Sequence, residues 1–130
     1  MRALRLEYEL SQGADMDSLA LTDPGRAYIQ ENLFMQFSFE NKIGPFGYPV
    51  LNGMGIEESM LKRYPISSGD TIVLASDGYP ALCNTLKKSE AELTHIHQKD
   101  PLCFRLYRST KGFTNDTMSF DDRCYCRFVV

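Results

Sequence analysis

Residues 71–78, Thr-Ile-Val-Leu-Ala-Ser-Asp-Gly, constrain the fold of this chain more than any other segment. Ile72, Val73, Leu74 and Ala75 form an unbroken apolar run between two turn signals, Ser68-Gly69-Asp70 and Ser76-Asp77-Gly78. A run this short, bounded on both sides, is expected to be a strand buried on both faces. A carboxylate leaving such a strand at Asp77 stands on a rigid element. Gly78 lets the backbone turn sharply there and approach a neighbour or ligand closely. Asp-Gly is also an ordinary turn pair, so the dipeptide alone does not define a site.

The flanking segments have a different period. Leu6 and Leu10, with Ala3 and Leu4, predict an N-terminal helix stopped by Gly13. Asp15 is expected to cap a short turn through Leu19. Asp23-Pro24 predicts a helix start, with Ile29, Leu33, Phe34 and Phe37 facing the core up to about Asn41. Two further strands are expected, at GYPVLNG before the Asn52-Gly53 turn and at Leu61 to Ile66, where Pro65 sets an edge or bend. A short helix is expected from Pro80 to Leu86. Ser89 and Glu92 suggest a capping box for a helix carrying Leu93 and Ile96, and Asp100-Pro101 the start of another with Leu102, Leu106 and Tyr107. The polar stretch STKGFTNDTMSFDD then leads to a final strand, RCYCRFVV. Helices, strands, helices and a strand in that order predict an α+β fold rather than alternating βαβ units.

With 130 residues, 43% of them hydrophobic, the chain reads as one domain, residues 1–130, without low-complexity tracts. A net charge of −3 gives no electrostatic reason to expect nucleic acid. No apolar stretch approaches the roughly 18 residues of a membrane span. The opening MRALRLEYELSQ carries charges where a signal peptide would be apolar. The expectation is therefore a cytoplasmic protein, with Cys83, Cys103, Cys124 and Cys126 reduced. Cys124 and Cys126 sit two apart on the last strand and are expected on one face, as a buried small apolar pair. Zinc is the alternative, without the usual C-x2-C spacing.

Adjacent carboxylates repel unless solvated or bound to a cation, which makes Asp121-Asp122 the second candidate. Carboxylates delivered from two strand ends suit Mg2+ or Mn2+, and a solvated loop is the plain alternative. His95 and His97 lie two apart on a helix and point to different faces, so a shared metal is not expected. Lys111-Gly112, in the loop before Asp121, could reach a phosphate. Tyr79 could shape the mouth of a site or serve as packing.

Residues 68–78 together with Ser119-Phe120-Asp121-Asp122 before a terminal strand resemble the C-terminal half of the protein phosphatase 2C family. Members of that family place an Asp-Gly after a strand similar to LASDG. They place an Asp-Asn near the C-terminus, with a small residue two positions earlier. Here Asp122 stands where Asn is usual. The resemblance implies a partial β-sandwich with flanking helices and metal-dependent hydrolysis of phosphoserine and phosphothreonine. It implies Mn2+ or Mg2+ as cofactor, Asp77 and Asp121 as metal ligands, Gly78 and Asp122 in supporting positions, and a phosphoprotein substrate. The helical opening, residues 1–42, fits the helix pair lying across one sheet of that fold.

The family's early acidic pair, its Asp-Gly-x-x-Gly turn and its phosphate-binding arginine have no counterpart; Asn52-Gly53-Met54-Gly55 matches the turn only superficially. The resemblance thus covers nearly all of this chain but about half of the family's domain, and no catalytic residue is assigned. It implies a chain that is incomplete or inactive alone. The alternative is a non-catalytic interaction or regulatory module derived from that fold. In either case exposed sheet edges are expected to be covered by a homo-oligomer or a partner chain.

Overall fold

The computed structural model describes residues 1–113 and 120–130. Its architecture is α+β: among the described residues, four α-helices and one two-stranded antiparallel sheet. Helix α1 spans Arg2–Ser11, α2 Met16–Thr22, α3 Pro24–Met35 and α4 Leu86–Lys99; strand β1 spans Thr71–Ala75 and β2 Tyr125–Val129.

The N-terminal helices start where the sequence predicts. Asp15 caps α2 by accepting a hydrogen bond from the Ser18 amide at 2.7 Å. Asp23 ends α2 in the left-handed region, with φ 35°, and caps α3 by accepting from the Arg26 amide at 2.9 Å. Helix α1 crosses α3 at Gly25, where a Cβ would lie 2.8 Å from Arg2 Cγ and 2.9 Å from Leu6 Cγ. Only glycine lets the two backbones approach this closely.

The core has two parts joined by the 100–113 segment. Leu6 of α1 and Leu19 of α2 pack with Leu102 and Phe104, while Leu93 and Ile96 of α4 pack with Cys103 and Phe113. Successive residues of one loop thus enter different clusters. Arg2, 3% exposed, fixes this loop to the N-terminal helices. Its guanidinium pairs with Asp23 at 2.9 Å and donates to the carbonyls of Leu102 at 2.7 Å, Cys103 at 3.2 Å and Ser109 at 3.3 Å. A buried guanidinium is tolerated because its donors are matched by a carboxylate and by three loop carbonyls.

Several local expectations are corrected. Helix α3 ends at Met35 and tightens into a 3-10 turn over Gln36–Phe39 instead of reaching Asn41. Leu4, Phe34 and Phe37 are exposed, so the apolar stripes of α1 and α3 are narrower than their periodicity suggests. GYPVLNG makes a single bridge, Glu40 to Tyr48, and residues 61–66 form no strand, because among the described residues neither segment has a neighbouring strand to pair with. Residues 80–85 are irregular, and the cap of α4 is Thr85, not Ser89. Ser89 is buried inside the helix, where its hydroxyl accepts from the Cys83 amide at 3.0 Å. Asp100 starts no helix. Its carboxylate, 3% exposed, instead accepts the amides of Phe104, Arg105, Leu106 and Tyr107 at 2.7–3.2 Å. Four amides gathered on one side chain replace the helical bonds that this loop would otherwise make.

Strand β1 forms where expected, but it is not buried on both faces. Its register pairs Ile72 with Phe128, Val73 with Arg127 and Leu74 with Cys126. Side chains alternate and opposed residues share a face, so Ile72, Leu74, Cys126 and Phe128 line one side of the ribbon. That side faces solvent: Leu74 is 57% exposed and Phe128 44%. Cys124 and Cys126 are likewise exposed, correcting the expected buried pair, because no element packs over this side of the ribbon among the described residues.

Candidate functional site

Antiparallel pairing sets the end of β1 beside the start of β2. The segment leaving β1, Ser76-Asp77-Gly78, therefore lies against the segment entering β2, Asp121-Asp122-Arg123. Ser76 stitches the two together. Its hydroxyl donates to the Asp122 carbonyl at 2.9 Å and accepts from the Cys124 amide at 2.8 Å, and its own amide donates to the Cys124 carbonyl at 3.0 Å. Gly78 is buried against this junction: a Cβ there would meet the Asp122 carbonyl oxygen at 2.4 Å and the Asp121 carbonyl oxygen at 2.9 Å. The glycine is needed for close approach of two backbone segments. Its predicted permissiveness thus serves packing within the chain.

The site residues predicted from sequence are accordingly brought to one end of one ribbon. Asp77 and Asp122 are exposed there, and Asp121 is half-buried. Ser119, the small residue of the Ser-x-Asp-Asp pattern, lies outside the described residues. The Lys111 ammonium donates to the Asp121 carboxylate and lies 5.4 Å from the centre of the Phe120 ring. The hydrogen bond from Lys111, then that from the Asp122 amide, holds the Asp121 carboxyl below the usual carboxylate range.

Sequence reasoning missed a second group at the same end. Glu90 of α4 accepts from the Tyr79 hydroxyl at 2.5 Å and from Arg123 at 3.2 Å, and the Arg123 guanidinium lies over the Tyr79 ring. The bond to Glu90 raises the Tyr79 hydroxyl above its ordinary pKa. Tyr79 is buried, and its ring meets Tyr125 edge-on at 6.0 Å. It ties α4 to the ribbon and acts as packing more than as the rim of a mouth. The one available signal was the spacing of Tyr79 and Glu90 on either side of a turn, which has no specificity. His97 stacks edge-on against Phe113 at 4.7 Å while His95 is exposed, so neither helix histidine joins the site.

The donors at the ribbon end fit a hard divalent cation in kind, since Asp77 and Asp121 offer carboxylate oxygens. They fall short in number. Among the described residues no group of three or more His, Cys, Asp or Glu side chains converges as a metal site. Asp121 already holds an ammonium group. Elsewhere, a cleft of about 840 Å³ runs between α1, α3 and the 104–110 loop, over Ile29, Leu33 and Phe104. Glu7 and Arg105 at its rim are ion-paired at 2.7 Å, and no pair of carboxylates faces it. The acidic ribbon end is the better candidate for metal chemistry.

Comparison with known proteins gave no match to any family model, curated protein or solved structure. No helix among the described residues is long and apolar enough to cross a membrane.

Proposed function

We propose that this chain is the C-terminal portion of a protein phosphatase 2C-like, metal-dependent phosphoprotein phosphatase domain, in which Asp77 and Asp121 are two ligands of a Mn2+ or Mg2+ ion. One observation carries the reading: the antiparallel register of β1 and β2 sets Asp77-Gly78 beside Asp121-Asp122, two motifs more than 40 residues apart in sequence. When bound, such an ion polarises a phosphoryl oxygen and acidifies a coordinated water. The chain's own contribution is positional. Ser76 and Gly78 lock the two strand ends together, and Lys111 and Arg123 supply positive charge beside the carboxylates.

With donors short of a two-ion centre, hydrolysis requires further carboxylates from outside the described residues, as in the second sheet of a β-sandwich. The substrate class is a phosphoserine or phosphothreonine protein, and the compartment is the cytoplasm. Calorimetric titration with Mn2+ tests the reading. The wild-type chain should bind, and Asp77→Ala and Asp121→Ala should each abolish the heat. A wild type without heat of binding would remove the proposal.

A second reading, a non-catalytic interaction module of the same origin, is favoured by the exposed apolar side of the ribbon. Ile72, Leu74, Cys126 and Phe128 there suit a covering strand or sheet from a second chain. Sedimentation of a well-folded monomer at all concentrations would remove this reading and leave the first intact.

A further inference from the structure

The cleft between α1, α3 and the 104–110 loop lies outside the ribbon end. Its volume of about 840 Å³ is in the range that holds small organic ligands. Three bonds cross from the helices to the loop. Glu7 of α1 pairs with Arg105 at 2.7 Å, Arg2 donates to the Ser109 carbonyl at 3.3 Å, and Arg26 of α3 donates to the Thr110 carbonyl at 3.0 Å. The loop is thereby held against both helices, and the cleft is formed before any ligand arrives.

Its lining combines apolar surface with one unpaired charge. Ile29 and Phe104 are buried beneath it, and half-buried Leu33 and exposed Leu4 border it. Arg105 is neutralised by Glu7, and Arg2 by Asp23. Arg108 differs: it lines the cleft, is exposed, and has no hydrogen bond, ion pair or ring contact among the described residues. Asn32 and Gln36 of α3 border both this cleft and a second, uncharged groove of about 380 Å³ over Met35, Phe39 and Phe46. Together the two follow the chain from Ile29 to Phe39, roughly 16 Å at the rise of helical residues.

We infer that this cleft binds an amphipathic carboxylate with an unbranched acyl chain, its head group on Arg108 and its chain along α3. The inference is independent of the metal-binding reading. A guanidinium presents two parallel N–H donors that match the two oxygens of a carboxylate. Since the other charges of the lining are paired within the chain, Arg108 favours a monoanion over a neutral or cationic ligand. The length of the joined groove suits a linear chain. Methylenes buried against Leu4, Leu33 and Met35 supply affinity that one exposed ion pair does not.

The test is calorimetric titration of the full chain with decanoate below its micelle concentration, beside hexanoate, decanol and decyltrimethylammonium. Wild type is compared with Arg108→Gln, Leu4→Gln and Arg63→Gln; all three side chains are exposed, and circular dichroism checks that the fold is kept. Hexanoate should bind wild type at least about tenfold more weakly than decanoate, because each buried methylene gives about a two- to fourfold gain. Arg108→Gln should lose about three- to tenfold in decanoate affinity while binding decanol as wild type does. Leu4→Gln should weaken both ligands. Arg63, paired with Glu58 outside the cleft, should be replaceable without effect. In 15N spectra decanoate should shift the amides of residues 29–36 and 104–110. No binding of decanoate, unchanged affinity in Arg108→Gln, an equal loss in Arg63→Gln, or equal binding of decyltrimethylammonium overturns the inference. Amide shifts confined to residues 72–74 and 126–128 also overturn it, since they place the amphiphile on the exposed side of the ribbon.

Discussion

Gly78 and Asp122 are in backbone contact across the end of the ribbon, so close that a methyl group on Gly78 would sit 2.4 Å from the Asp122 carbonyl oxygen. The displaced atoms would be backbone, which cannot swing aside as a flexible side chain can. Gly78→Ala should therefore destabilise the chain by about 1–3 kcal/mol, the usual cost of forcing atoms into a packed site. It should also weaken Mn2+ binding, because Asp77 and Asp121 would be pushed apart. Urea unfolding and calorimetry on the same variant check both effects, and an unchanged midpoint would show that the strand ends are not locked together.

Arg2 should be as important to stability as any hydrophobic residue of the core. Its guanidinium is buried against Asp23 and three loop carbonyls. Arg2→Met fills similar space but leaves Asp23 short of a partner and the Leu102 and Ser109 carbonyls without their donor, at a cost of about 3–5 kcal/mol. The melting temperature should fall by roughly 10 °C or more. A thermal melt followed by circular dichroism that shows no change would refute the role given to this residue.

The four thiols should differ sharply in reactivity. Cys103 is fully buried, and its thiol is pushed up to about 12 by burial first and by nearby Asp100 second. Cys124 and Cys126 are exposed. A thiol reagent at pH 8 should modify Cys124 and Cys126 quickly and Cys103 only on unfolding. Folding raises the Cys103 thiol above its ordinary value of 9.0, so its protonated form favours the fold. That contribution is complete below pH 9 and is lost as pH rises towards 12. Cys103→Ala should show a shallower loss of stability across this window. Rapid labelling of Cys103 in the folded chain would contradict its placement.

The boundaries legible in the sequence were those set by local chemistry. Asp15 and Asp23 acted as caps because their carboxylates satisfy amides two or three residues on, and the apolar run at 72–75 became a strand. Local patterns failed where a distant partner decided the outcome. Asp100-Pro101 reads as a helix start, yet four loop amides converge on the Asp100 carboxylate while Arg2, about 100 residues away, takes the carbonyls of the same loop. The exposure of β1 was illegible for a related reason, since an apolar run reports what a strand can bury but not what covers it. At the site, Asp77, Gly78, Asp121 and Asp122 were readable as motifs. The engagement of Asp121 by Lys111 was not, because a loop lysine has no spacing that singles it out.

Manganese line broadening tests the shared metal site most directly. Substoichiometric Mn2+ added to the 15N-labelled chain should broaden the amides of residues 76–79 and 120–124 first, leaving those of α1 and α2 sharp. Asp77→Ala should abolish the broadening at both strand ends at once. Broadening that begins at another acidic segment, such as Asp15 and Asp17, or that persists at 120–124 in Asp77→Ala, would contradict a cation shared by Asp77 and Asp121.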